Sequence, residues 1–74
     1  MEDNFLGLCK QLGAVISAKR KLIGLSQEEL AFRAEIDRTY ISQIERGVSN
    51  PSLLVVFKIS KVLELQITDL FTVS

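Results

Sequence analysis

The chain is 74 residues long and 47% apolar, with nine basic and nine acidic residues, one cysteine and no histidine. This allows one domain with a core that needs no covalent staple. A lone cysteine excludes an internal disulfide, the lack of histidine argues against a zinc site, and zero net charge excludes a polycation that holds nucleic acid by charge alone. Cys9 reads as a small buried hydrophobe on the first helix rather than as a redox thiol. The longest apolar runs, such as Leu53 to Phe57, fall far short of the roughly 20 residues that cross a bilayer. Met1-Glu2-Asp3-Asn4 is acidic and is not followed by a signal-peptide core, so a cytoplasmic setting without a membrane partner is expected.

In chain order, Leu8, Leu12, Val15 and Ile16 recur at helical spacing and predict a first helix from about Phe5 to Lys21, with Gly24 at its C-terminal cap. Ser26-Gln27-Glu28-Glu29 predicts a capping box that starts a short second helix, whose inner face is Leu30 and Ala31, with Ala34 just beyond. Ala34-Glu35-Ile36 is a turn, and Asp37 offers the next N-cap. A third helix spans Arg38 to Arg46, closed by Gly47. Pro51 suits the first position of a fourth helix, in which Leu53, Val56, Phe57 and Leu63 supply the core. Leu65, Ile67, Leu70 and Phe71 predict a short fifth helix starting near Gln66 or Thr68. The basic residues Lys10, Lys19, Arg20, Lys21, Arg33, Arg38 and Arg46 lie in the first two-thirds, whereas Glu64 to Ser74 carries two acids and no base.

Two short helices joined by three to four residues have the dimensions of a helix-turn-helix. At about 100° per residue, Arg38, Thr39, Ser42, Gln43 and Arg46 share one arc of roughly 140° on the third helix, opposite Ile41 and Ile44. A generic solvated face would be richer in Glu and Lys. Arg pairs with guanine O6 and N7, Gln with adenine N6 and N7, and Thr meets the thymine methyl, so these side chains match base edges. The alternative is a polar surface helix with Arg38 and Arg46 in local ion pairs with Glu35 or Asp37. The residues alone leave both readings open.

Leu25-Ser26-Gln27-Glu28-Glu29-Leu30-Ala31, Asp37-Arg38-Thr39-Tyr40-Ile41-Ser42-Gln43-Ile44-Glu45-Arg46-Gly47 and Asn50-Pro51-Ser52-Leu53 together resemble the Cro/C1-type helix-turn-helix regulators, from about Leu12 to Phe71. Ile36 to Ser42 with Ile44-Glu45-Arg46, on so short a chain, looks most like the controller proteins of restriction–modification systems. The resemblance implies an all-α, compact five-helix bundle of lambda-repressor-like type. Its third helix enters the major groove of operator DNA, and its C-terminal helix dimerises the single 1–74 domain. Base-reading positions fall on Arg38, Thr39 and Gln43, with Ser42 and Arg46 on the same face. Backbone positions fall on Gln27, Tyr40, Ser49, Asn50 and Ser52, and a buried structural ion pair on Arg20 and Glu45. Glu35 departs from the glycine common at that turn, so the turn is either strained or places its left-handed residue elsewhere. Gln66 stands where a Ser or Thr cap is usual.

The apolar residues after Leu65, Val73 included, exceed what the core needs, so Leu65, Ile67 and Leu70 are expected at a homodimer interface. Glu28, exposed at a helix start, is the expected contact with RNA polymerase if the protein activates transcription; otherwise it favours the helix dipole. No enzyme, metal or cofactor is expected, because no nucleophile–base pair, phosphate-cradling glycine loop or paired carboxylates occur. The rival reading is an antitoxin, or a protein-interaction module of the same fold.

Overall fold

The computed structural model describes residues 2–71. Among them run four α-helices, α1 (Glu2–Leu22), α2 (Gln27–Ala34), α3 (Arg38–Glu45) and α4 (Leu53–Val62), followed by a 3-10 helix over Ile67–Phe71. The fold is all-helical, but the expected fifth α-helix is only that 3-10 turn. Five residues gain little from α-helical propagation, and the turn closes locally. The Gln66 amide donates to the Asp69 carboxylate (3.0 Å), and the Asp69 amide donates back to the Gln66 carbonyl (2.9 Å). Val73 lies outside the described residues.

Helix α1 starts earlier than its apolar stripe, at Glu2, and Leu8 is exposed rather than inward. It ends at Gly24 (φ 80°), where the Leu25 amide reaches the Arg20 carbonyl (3.0 Å). The capping box of α2 is complete. The Glu29 amide donates to Ser26 Oγ (3.0 Å) and the Ser26 amide donates to Glu29 Oε1 (2.8 Å). That backbone bond, with the Ser26 hydroxyl and the nearby Arg33 charge, holds the Glu29 carboxyl below the usual carboxylate range. At the other end Glu35 itself takes the left-handed conformation (φ 58°, ψ 47°). The turn therefore keeps its geometry without glycine, at a cost of about 1 kcal/mol.

Two expected helix starts are corrected. Asp37 occupies the N-cap position of α3, but its carboxylate makes no capping hydrogen bond. The cap of α4 is Ser52, whose Oγ accepts from the Val55 amide (3.1 Å), so Pro51 precedes the cap instead of opening the helix.

The core gathers Leu12 and Ile16 from α1, Leu30 and Ala31 from α2, Ile41 and Ile44 from α3, Val56, Ile59 and Leu63 from α4 and its cap, and Leu70 from the 3-10 turn. Burying each large apolar side chain contributes about 1.5–3 kcal/mol, which outweighs the weak helix propensity of the β-branched residues in α4. Leu53 and Phe57, expected inside, are 73% and 47% exposed. The inward stripe of α4 is Val56, Ile59, Ser60 and Leu63, and Ser60 satisfies its buried hydroxyl on the Phe57 carbonyl (2.7 Å). Helices α1 and α3 cross closely at Gly13, where a β-carbon would collide with the carbonyl oxygens of Ile44 and Glu45.

Candidate DNA interface

The three residues Glu35, Ile36 and Asp37 turn the chain from α2 into α3. Ile41 and Ile44, 0% and 1% exposed, pin one side of α3 to the core. The opposite side carries the residues of the expected base-reading arc. Arg38, Thr39 and Arg46 are exposed, and Ser42, Gln43 and Tyr40 are half-buried. Arg38 and Thr39 stand at the start of the helix; Arg46 is its C-terminal cap. The only ion pair among the described residues uses neither Arg38 nor Arg46, so their guanidinium groups have no carboxylate partner there. This removes the local ion pairs that would make the face an ordinary polar surface.

The C-terminal end of α3 is fixed by one carboxylate. Glu45, its side chain 5% exposed, accepts from Arg20 Nε (2.7 Å), Arg20 Nη2 (3.0 Å) and Gln27 Nε2 (3.0 Å). Arg20 also donates through Nη1 to the Leu25 carbonyl (2.8 Å), so one guanidinium ties α1, the loop before α2 and α3 together. A paired fork of this kind is directional as well as strong. Burial pushes the Glu45 carboxyl up, but the hydrogen bonds from Arg20 and Gln27 and the Arg20 charge, with a smaller effect of the nearby Ser17 hydroxyl, outweigh it, and the group lies below the usual range. The Glu45 hydrogen bond and charge raise Arg20 in turn, against the opposing effect of its burial. Ser17 had no signal in the sequence, because its part depends on the angle at which α1 crosses α3.

Gln27 opens α2 and spends one amide hydrogen on Glu45, which leaves the second for another acceptor. Glu28 is exposed and takes no part in the cap. Ser49 is half-buried, and Asn50 and Ser52 are exposed on the α3–α4 loop, whose first residue is the buried Gly47 (φ 75°). Of the expected dimer residues, Leu70 is 1% exposed inside the core and has no surface to offer; it is corrected to a core residue. Leu65 and Ile67 are half-buried and pack on that core. No group of residues able to hold a metal ion occurs among the described residues, and none of their helices is long and apolar enough to cross a membrane.

A helix-turn-helix family model matches residues 16–70. The chain belongs to the helix-turn-helix family. Within the family it is 56% identical over 46 residues to Control protein C.BamHI of Bacillus amyloliquefaciens, an alignment covering 62% of this chain and 57% of that protein. The crystal structure of the restriction–modification controller protein C.AhdI from Aeromonas hydrophila superimposes with a TM-score of 0.83 at 36% identity, covering 85% of this chain and 96% of that one. The biofilm master regulator SinR, solved in complex with DNA, superimposes at 0.79 with 37% identity over 82% of this chain and 98% of that one. The chain spans 57% of C.BamHI and 40% of SlrR, a further helix-turn-helix transcriptional regulator it matches, from Bacillus subtilis.

Proposed function

We propose that this helix-turn-helix protein is a sequence-specific, double-stranded-DNA-binding transcriptional regulator, a restriction–modification controller that binds operator DNA as a homodimer. The observation that carries this reading is the two-sided α3. Ile41 and Ile44 lock it to the core, Glu45 anchors its end, and unpaired Arg38 and Arg46 stand outward with Thr39, Ser42 and Gln43. Arg38, Thr39 and Gln43 read base edges in the major groove. Gln27, Tyr40, Ser49, Asn50 and Ser52 hold the sugar–phosphate backbone, which sets register without reading sequence. Likeness to C.BamHI and C.AhdI favours the controller role, and the DNA complex of SinR favours the groove-bound α3. Work of this kind is binding rather than catalysis, carried out in the cytoplasm with the DNA.

One helix-turn-helix covers too little DNA for a unique address, so such proteins pair and read half-sites about one helical turn apart. The exposed outer face of α4 supports pairing there. Leu53, Leu54 and Phe57 share that face at helical spacing, and Phe71 joins Leu53 and Phe5 at an apolar groove.

The test is a gel-shift titration against the DNA upstream of the protein's own reading frame. The reading expects that fragment to be bound far more tightly than a scrambled duplex; equal binding to both contradicts it. If the protein activates, Glu28 at the exposed start of α2 touches RNA polymerase. Glu28→Gln then keeps the gel shift and loses reconstituted activation, whereas unchanged activation removes Glu28 from that role.

A further inference from the structure

Lys10 stands outside every role assigned so far. Gly47, the left-handed residue that ends α3, faces α1 so closely that a β-carbon there would lie 2.7 Å from Lys10 Cγ and 2.8 Å from Lys10 Cα. The glycine therefore seats the Lys10 stem against the start of the α3–α4 loop. Lys10 is exposed and has no ion-pair partner among the described residues. A shallow groove lined by Phe5, Leu6, Cys9, Val48, Ser49 and Asn50 runs along the same junction of α1 with the loop.

No carboxylate lines this groove, and the exposed Arg46 next to Gly47 is, like Lys10, without an ion-pair partner among the described residues. An ammonium on a flexible four-carbon stem acts as a mobile point charge, suited to a phosphate oxygen more than to a base edge.

We propose that Lys10 is a phosphate anchor for double-stranded DNA, placed outside the helix-turn-helix unit and adding one backbone contact beside Ser49 and Asn50. This rests on the DNA-binding reading above. Lys10 holds the duplex and reads no sequence.

The experiment measures binding by fluorescence anisotropy over a salt series, for the wild type, Lys10→Gln and Lys10→Arg. One probe is the duplex from upstream of the protein's own reading frame, and the other is a mixed-sequence duplex. Lys10→Gln is expected to flatten the slope of log K against log salt by about 0.9 on both duplexes, and Lys10→Arg to restore it. Thermal unfolding midpoints of the three proteins are expected to coincide, since only an exposed head group changes. A Lys10→Gln slope equal to that of the wild type overturns the anchor while leaving the DNA-binding reading in place. A slope change on the upstream duplex alone also overturns it, because Lys10 would then read sequence. A wild type that binds neither duplex overturns both.

Discussion

Glu45 is the residue through which α1 and α2 hold α3 in position. Its carboxylate collects Arg20 and Gln27, and removing either charged partner of a buried pair strands the other. Arg20→Met should therefore cost about 3 kcal/mol or more in urea unfolding; a loss within error of zero would contradict this. The pH dependence has a defined sign. A carboxyl held below its usual pKa contributes stability that is complete above the unfolded value, about 4.3, and disappears as pH falls through the lower folded value. Glu29 is lowered as well, but it is common to both proteins in the comparison and cancels. Glu45→Gln should thus start less stable at neutral pH and lose less on acidification than the wild type. Parallel acid profiles would refute the assignment. Little of this was legible from residue spacing. Arg20 and Glu45 are 25 residues apart, and only the resemblance to Cro/C1-type regulators pairs them from sequence. The contributions of Gln27 and Ser17 depend on how the helices cross, which the sequence pattern does not encode.

Elements whose ends carry their own chemistry were read closely from the sequence. The Ser26–Glu29 capping box and the glycine after α3 act within four residues, so the sequence alone specifies them. Glu35 shows the limit of residue preference, since a glutamate holds the left-handed position that glycine commonly fills. The orientation of α4 was harder. Leu53-Leu54-Val55-Val56-Phe57 is apolar at every position, so periodicity cannot say which residues point inward. The choice is made by packing, which takes Val56 and leaves Leu53 and Phe57 outside. Leu70 turns inward for a related reason: Leu53 and Phe57 face out, so the surplus of apolar residues after Leu65 is smaller than a core containing both would leave. The α1–α3 crossing gave no signal beyond a single glycine. Gly13→Ala forces a methyl against the carbonyls of Ile44 and Glu45, and the helices must separate. It should destabilise by about 1–3 kcal/mol despite the better helix propensity of alanine. A stabilised variant would show that the crossing is looser than described.

At the scale of the whole molecule, neutral charge and segregated surfaces are compatible because each face has one task. Arg38, Arg46 and Lys10 stand exposed and unpaired on the proposed DNA side, and Leu53, Leu54 and Phe57 give the outer face of α4 an apolar patch of its own. If that face pairs two copies, Phe57→Asp should sediment as a folded monomer at micromolar concentration, whereas Ile67→Asp should instead destabilise the fold, because Ile67 packs on the core. A dimeric Phe57→Asp protein would move the interface elsewhere. The central claim is that α3 reads sequence, and Arg38 tests it most directly, being exposed and unpaired at the end of the helix that would enter the groove first. The decisive measurement compares wild type and Arg38→Ala on the upstream operator, on the operator with single base-pair changes, and on random duplex at one salt concentration. Arg38→Ala should lose about 1–3 kcal/mol on the operator and relax preference at one base pair, with a much smaller loss on random DNA. Equal losses on operator and random DNA would contradict base reading by α3 and reduce Arg38 to a backbone contact.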